Sequence, residues 1–405
     1  MKMILNELFE IQNRIAKYVP MEFRRYLKLP DDKRLIALTG ARGTGKTTLI
    51  LQYYLDNFSS PLECLYFSVD NPLLAQSSIY EVGKEYFSLY GSTLIIDEVH
   101  KQKNWSFDVK ALYDSFPDKK IIISGSSKLG IINQKGDLSR RALIYNLKGL
   151  SFREFLEFNF GYKLPVYSLM DILEDHIAIS SEVMNLVPEI RKHFHNYLQY
   201  GFYPFFKHNS EVEYQQILLS VIDKVIYEDV PELKDIRSSS SLIFKKLIAY
   251  LSMSKIPTLV VSSTCNELDI SKETLYEYLD LLDRTELINI VRERKSSVRS
   301  LRRARILFLN PNLYYAISRE LWIHTTELGN IREAFFVSQI KPPFYSSQDT
   351  DYELDLNGKR FSFEIGGKNK SRSQIKEIDN SFVFKDDIIQ GYENIIPLYL
   401  AGFLY

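Results

Sequence analysis

Residues 40–48 read Gly-Ala-Arg-Gly-Thr-Gly-Lys-Thr-Thr and fit G-x-x-x-x-G-K-[ST], with Gly40, Gly45, Lys46 and Thr47 at the fixed positions. An apolar run, Arg34–Thr39, precedes the segment, and an amphipathic stretch, Thr48–Leu55, follows it. That order predicts a strand, a tight loop and a helix, the setting in which a glycine-rich loop wraps a phosphate group. The glycines let successive backbone N–H groups turn toward one point, and the helix N-terminus adds its positive dipole end. The whole segment, Gly40, Ala41, Arg42, Gly43, Thr44, Gly45, Lys46, Thr47 and Thr48, is therefore the expected binding loop for a nucleoside triphosphate. Lys46 would reach the β- and γ-phosphates, and the Thr47 hydroxyl would ligate Mg²⁺.

Fifty residues on, Thr93–Glu98 is a short apolar strand run ending in two acids. Asp97 is the expected Mg²⁺ holder, directly or through water, and Glu98 the group that orients and activates an attacking water. A further apolar run, Lys120–Ser127, ends in Ser124, Ser126 and Ser127, where a polar side chain could sense the γ-phosphate. Glu98 points to hydrolysis of ATP rather than phosphorylation of a small molecule. No guanine-reading N-K-x-D stands at the corresponding place.

The chain has 405 residues, enough for two or three domains, and its 45% hydrophobic content suits an ordinary globular protein. Lysine plus arginine equals aspartate plus glutamate, 51 each, so attraction of nucleic acid would need a local patch rather than a global field. Two distant cysteines, Cys64 and Cys265, argue for a reducing compartment. The N-terminal stretch does not read as a signal peptide and no 18-residue apolar run occurs, so the expectation is a cytoplasmic protein without membrane contact.

Strand-like runs at 34–39, 64–69, 93–97 and 120–125 alternate with helical periods, which predicts a parallel sheet wrapped by helices over residues 1–160. Residues 161–240 read as helical, with a break at Gly201–Pro204. Residues 241–309 read as helices followed by a strand pair, the winged-helix order, with a basic segment, 292–305, between the strands. That segment could grip duplex DNA through its phosphates, or serve as a solvated hairpin tip. Residues 310–405 read as a small α/β unit. The expected class is thus α/β: a P-loop NTPase sheet with a helical lid, a winged helix and a small C-terminal α/β domain.

The P-loop, Ile96–Val99, Ser124–Ser127, the Ser-Phe-Arg-Glu-Phe run at 151–155, Tyr200–Pro204 and the Leu-Asp…Glu-Ile-Gly-Gly-Lys ending occur in that order. Together they resemble the archaeal-type AAA ATPases, in which a P-loop domain is followed by a winged helix and a domain resembling restriction endonucleases. The resemblance implies ATP binding and hydrolysis with Mg²⁺. It implies that Gly201 and Pro204 lie near the adenine, that Arg140 or Arg141 (we take Arg141) stabilises transition-state charge, and that Arg153 anchors the lid. It also implies that Asp355, Glu364 and Glu333 match the acids of an endonuclease-like fold. The lysine expected two residues after Glu364 is Gly366, with Lys368 following, so nuclease activity is not expected. Two function classes stay open: an ATPase acting on or regulated by DNA, and a nucleotide-dependent switch binding a protein partner or assembling with itself.

Overall fold

The computed structural model describes the chain except residues 1, 126–137, 235, 237–239, 255–256, 295–300, 302, 322–326, 341–342, 368–369 and 371–374. It divides into two compact units, Met1–Gly149 and Leu150–Tyr405. The boundary falls before the helix at Phe152–Phe160, which the sequence reading had assigned to the first domain.

The first unit is a parallel five-stranded sheet in the order β2-β3-β4-β1-β5. In chain order its elements are α1 (Lys2–Ala16), β1 (Leu35–Thr39), α2 (Lys46–Asn57), β2 (Cys64–Ser68) and α3 (Ile79–Leu89). They continue with β3 (Thr93–Asp97), α4 (Trp105–Ser115), β4 (Lys120–Ser124) and β5 (Leu143–Asn146). β1 and β3 are buried along their whole length, as continuous apolar runs must be when both faces of a sheet are covered. β5 went unread in the sequence because only Ile36–Thr39 pairing makes its partly exposed Leu143–Asn146 a strand. At the opposite edge, the Gln12 amide of α1 donates to the Cys64 carbonyl and accepts from Tyr66 N–H, both at 2.9 Å. A buried side chain thus completes the edge of β2, which would otherwise offer unpaired backbone groups.

The second unit opens with α5 (Phe152–Phe160), α6 (Leu169–Leu186), α7 (Ile190–Tyr200), α8 (Glu211–Lys224), α9 (Ser240–Met253), α10 (Val261–Leu268) and α11 (Lys272–Arg284). An antiparallel pair follows, β6 (Ile288–Val291) with β7 (Arg305–Phe308). The chain then runs through α12 (Pro311–Glu320) and α13 (Leu328–Gln339) into a second sheet. That sheet has β8 (Tyr345–Ser346), β9 (Tyr352–Leu356), β10 (Lys359–Gly366), β11 (Ser381–Lys385) and β12 (Ile395–Pro397), ordered β12-β11-β10-β9-β8.

Two sequence segments find structural explanations here. In Ser151–Phe155, Ser151 and Glu154 form a capping box on α5, and Arg153 donates to the Leu164 carbonyl at 3.0 Å and the main-chain oxygen of Tyr405 at 3.2 Å. At Gly201, a Cβ would lie 2.7 Å from Cα of Tyr197 and 2.9 Å from the Phe155 ring, so any larger residue at the end of α7 would have to displace them. Asn312 then accepts from Phe202 N–H at 2.8 Å and donates to the Tyr197 and Leu198 carbonyls at 2.9 and 2.7 Å.

Candidate nucleotide site

The loop after β1 turns on Gly40, where a Cβ would sit 2.3 Å from the Leu147 carbonyl oxygen, and on Gly45, whose φ of 93° is left-handed. The Thr44 hydroxyl donates to the Ala41 carbonyl at 2.9 Å and holds the loop closed. Lys46 is buried at the start of α2, and its ammonium donates to the carbonyls of Gly40 (2.8 Å) and Ala41 (3.1 Å). Two loop carbonyls thus hold the ammonium inside the loop, and phosphate oxygens would offer it stronger, charged acceptors.

Parallel pairing brings the ends of β1, β3 and β4 together. Thr47 Oγ1 donates to Asp97 Oδ2 at 2.7 Å, and the Ser124 hydroxyl donates to Asp97 Oδ1. The Glu98 N–H also donates to Asp97 Oδ1, at 3.1 Å. Tyr66, a buried residue of β2, donates its hydroxyl to Asp97 Oδ2 at 3.1 Å. Burial and the Asp97 carboxylate beside it push the Tyr66 hydroxyl far above its usual pKa, so it remains a donor. Glu98 itself has φ of 53°, a strained setting for a residue with a Cβ, and its carboxylate lies 3.3 Å from His100 Nε2.

A hydroxyl and a carboxylate in direct contact, both oxygen donors, fit a hard divalent cation such as Mg²⁺. Thr47 and Asp97 are the residues that would hold it. Thr47, Glu98 and Ser124 thus meet at the Asp97 carboxylate, with Lys46 beside Thr47 at the start of α2. Ser126 and Ser127 lie outside the described residues. Tyr66 and His100 were not read in the sequence. Tyr66 carries no motif, because its role depends on β2 lying beside β3; His100, two residues after Glu98, could have been suspected.

Arg141 forks onto Asp114 of α4, with Nε and Nη2 at 3.1 and 3.2 Å from its oxygens, and a catalytic role would require it to leave that pair. Gly201 and Pro204 belong to the second unit, where packing accounts for Gly201.

The acids of the second sheet are not arranged as the sequence suggested. The β9–β10 register sets Asp355 opposite Arg360, and Asp355 is half exposed beside Arg294. Asp351 takes its place near Glu364. Its Oδ2 accepts from Ile365 N–H at 2.7 Å and its Oδ1 from Arg305 at 2.7 Å. Arg305 also forks onto Glu333, which accepts from the Tyr352 hydroxyl at 2.7 Å, while Lys370 pairs with Glu364. Burial raises the pKa of Glu333 and Glu364. Three carboxylates thus face two fixed cations, an ion-pair cluster that does not fit a metal site as arranged. Lys368 lies outside the described residues.

In the basic segment 292–305, three of the described arginines have acidic neighbours. Arg305 points inward, Arg294 pairs with Asp355, and Arg303 pairs with Glu293 at 3.2 Å. Residues 295–300 and Arg302 lie outside the described residues.

Residues 32–156 match the AAA domain family, and residues 191–320 match a domain of unknown function, DUF8612. The uncharacterized protein MJ1637 of Methanocaldococcus jannaschii is 30% identical over 269 residues, 64% of this chain and 56% of that protein. The match thus spans little more than half of that relative's length. Among solved structures, AMPPCP-bound DnaA from Aquifex aeolicus shares 14% identity over 68% of this chain and 86% of its own, with a TM-score of 0.26. The Aeropyrum pernix ORC1 protein in complex with DNA shares 11% over 77% and 92%, with a TM-score of 0.31. The parallel sheet with its glycine-rich loop gives the first unit a P-loop NTPase fold, and its residues 32–156 are similar to the AAA domain family. Among the described residues, no helix is long and apolar enough to cross a membrane.

Proposed function

We propose that the protein binds ATP with Mg²⁺ at Gly40–Thr48 and hydrolyses it, using the cycle as a switch. The 2.7 Å contact between Thr47 and Asp97, with Lys46 and Glu98 on either side, carries this reading. Bound Mg²⁺ would supply charge to offset the phosphate oxygens. The chain's own residues do the rest. Loop N–H groups and Lys46 hold the β- and γ-phosphates, Ser124 keeps the Asp97 carboxylate aimed, and Glu98 takes a proton from the attacking water.

The internal pairing of Arg294, Arg303 and Arg305 favours a protein partner or self-assembly over duplex DNA as the recipient of the switch. In this reading the helices and hairpin of residues 241–309, a winged-helix arrangement, form a docking surface. The endonuclease-like C-terminal sheet is held together by its ion-pair cluster and does not cleave.

Lys46→Ala should abolish ATP binding, and Glu98→Gln should bind ATP while losing about 10²-fold or more in turnover. A turnover assay beside equilibrium binding measures both. Full turnover by Glu98→Gln would show that the water is activated elsewhere. Stimulation by duplex DNA that steepens at low salt would restore the DNA reading.

A further inference from the structure

Arg25 precedes β1, outside the segment that matches the AAA domain, and no motif points to it. Its guanidinium nevertheless reaches three main-chain carbonyls: Thr44 at 2.8 Å through Nη1, and Lys148 and Gly149 at 2.7 and 3.0 Å through Nη2. Thr44 lies in the phosphate loop, while Lys148 and Gly149 follow β5. The same stretch touches the loop's other end, because Leu147 N–H donates to the Thr39 carbonyl at 2.8 Å and the Leu147 carbonyl leaves no room for a Cβ on Gly40. Residues 147–149 therefore form a wall along the loop, touching it directly at Gly40 and through Arg25 at Thr44.

We propose that Arg25 is a positioning residue for nucleotide binding, one that aims the Gly45 amide into the phosphate cradle. The argument is geometric. In a planar trans peptide the carbonyl and the following N–H point in opposite directions. Holding the Thr44 carbonyl outward on Arg25 turns the Gly45 N–H inward, and the left-handed φ of 93° at Gly45 is compatible with that orientation. Without the guanidinium, the Thr44–Gly45 peptide can rotate, and part of the binding energy is spent restoring it. Arginine suits the task because its rigid fork serves carbonyls on two segments at once; a lysine ammonium on a flexible stem does not reproduce that geometry.

The proposal rests on the nucleotide-binding reading above, and the test separates the two. ADP affinity is measured calorimetrically on the full chain for wild type, Lys46→Ala, Arg25→Ala and Arg25→Lys, beside thermal melting without nucleotide. Arg25→Ala and Arg25→Lys should both bind ADP about tenfold or more weakly, in line with losing a charge-assisted hydrogen bond. A merely structural role would lower the melting temperature and leave the affinity of the folded variant unchanged. Wild-type affinity in either Arg25 variant would overturn the proposal, in Arg25→Lys because a point charge would then serve without the fork. Should Arg25→Ala fail to fold, Arg25→Lys decides by itself. If wild type itself binds no ADP, the nucleotide reading falls and this inference with it; if wild type binds and the Arg25 variants match it, only this inference falls.

Discussion

The Asp97 carboxylate accepts from Thr47 and Tyr66 on one oxygen and from Ser124 and the Glu98 amide on the other. Such a carboxylate cannot swing, so a cation meets it already oriented. Tyr66, like Ser124, stands outside the phosphate loop, so its loss leaves the loop untouched. Tyr66→Phe should therefore weaken Mn²⁺ binding to the ADP-loaded protein by about tenfold, the usual scale for a partner behind a metal ligand. Metal-free ADP affinity should stay at the wild-type value. Mn²⁺ titration by electron paramagnetic resonance checks it, and unchanged Mn²⁺ affinity would show that Thr47 and Ser124 suffice. Legibility divides along the same line. Lys46, Thr47 and Asp97 were readable because loop geometry and strand ends follow from local spacing. Tyr66 and Arg25 were not, because each acts across sequence distances that only strand order and a carbonyl wall define.

At the scale of elements, strand β10 shows how much a turn decides. Leu356 pairs with Lys359 across Asn357 and Gly358, whose φ values of 51° and 76° are those of a two-residue type I′ hairpin. That turn sets Asp355 opposite Arg360 and so carries Asp355 away from Glu364. The Asn-Gly pair was visible in the sequence, and counting back from it would have moved attention from Asp355 to Asp351. The α7 turn is a second case. Gly201, expected near the adenine, also answers a packing demand, because a Cβ there would press on Tyr197 and Phe155. Gly201→Ala should destabilise the protein by about 1–3 kcal/mol through overpacking, with ADP affinity unchanged. Thermal melting and ADP titration on one preparation distinguish the roles, since weakened ADP binding at full stability would return Gly201 to the nucleotide.

On the scale of the whole molecule, Arg305 sits at the start of β7 yet neutralises Glu333 of α13 and Asp351 ahead of β9, so one cation ties the hairpin to the second sheet. Removing it leaves the buried Glu333 carboxylate facing the partly buried Asp351 without their shared cation. Arg305→Ala should cost about 3–5 kcal/mol at neutral pH, the scale for an uncompensated buried charge. The loss should depend on pH in a definite direction. Burial already holds the Glu333 pKa above its ordinary value, opposed by Arg305. Without Arg305 it rises further, so the folded variant binds a proton that the unfolded chain releases. That proton's contribution is fully present below the unfolded glutamate pKa, about 4.3, and is lost as pH rises through the elevated folded value. The gap in melting temperature between wild type and Arg305→Ala should therefore narrow at pH 5 relative to pH 8, and Glu333→Gln in the same background should recover part of it. A gap that is constant with pH would remove the ion pair as the cause. A variant that melts like wild type but binds duplex DNA more weakly, with a shallower salt dependence, would instead place Arg305 on a phosphate backbone.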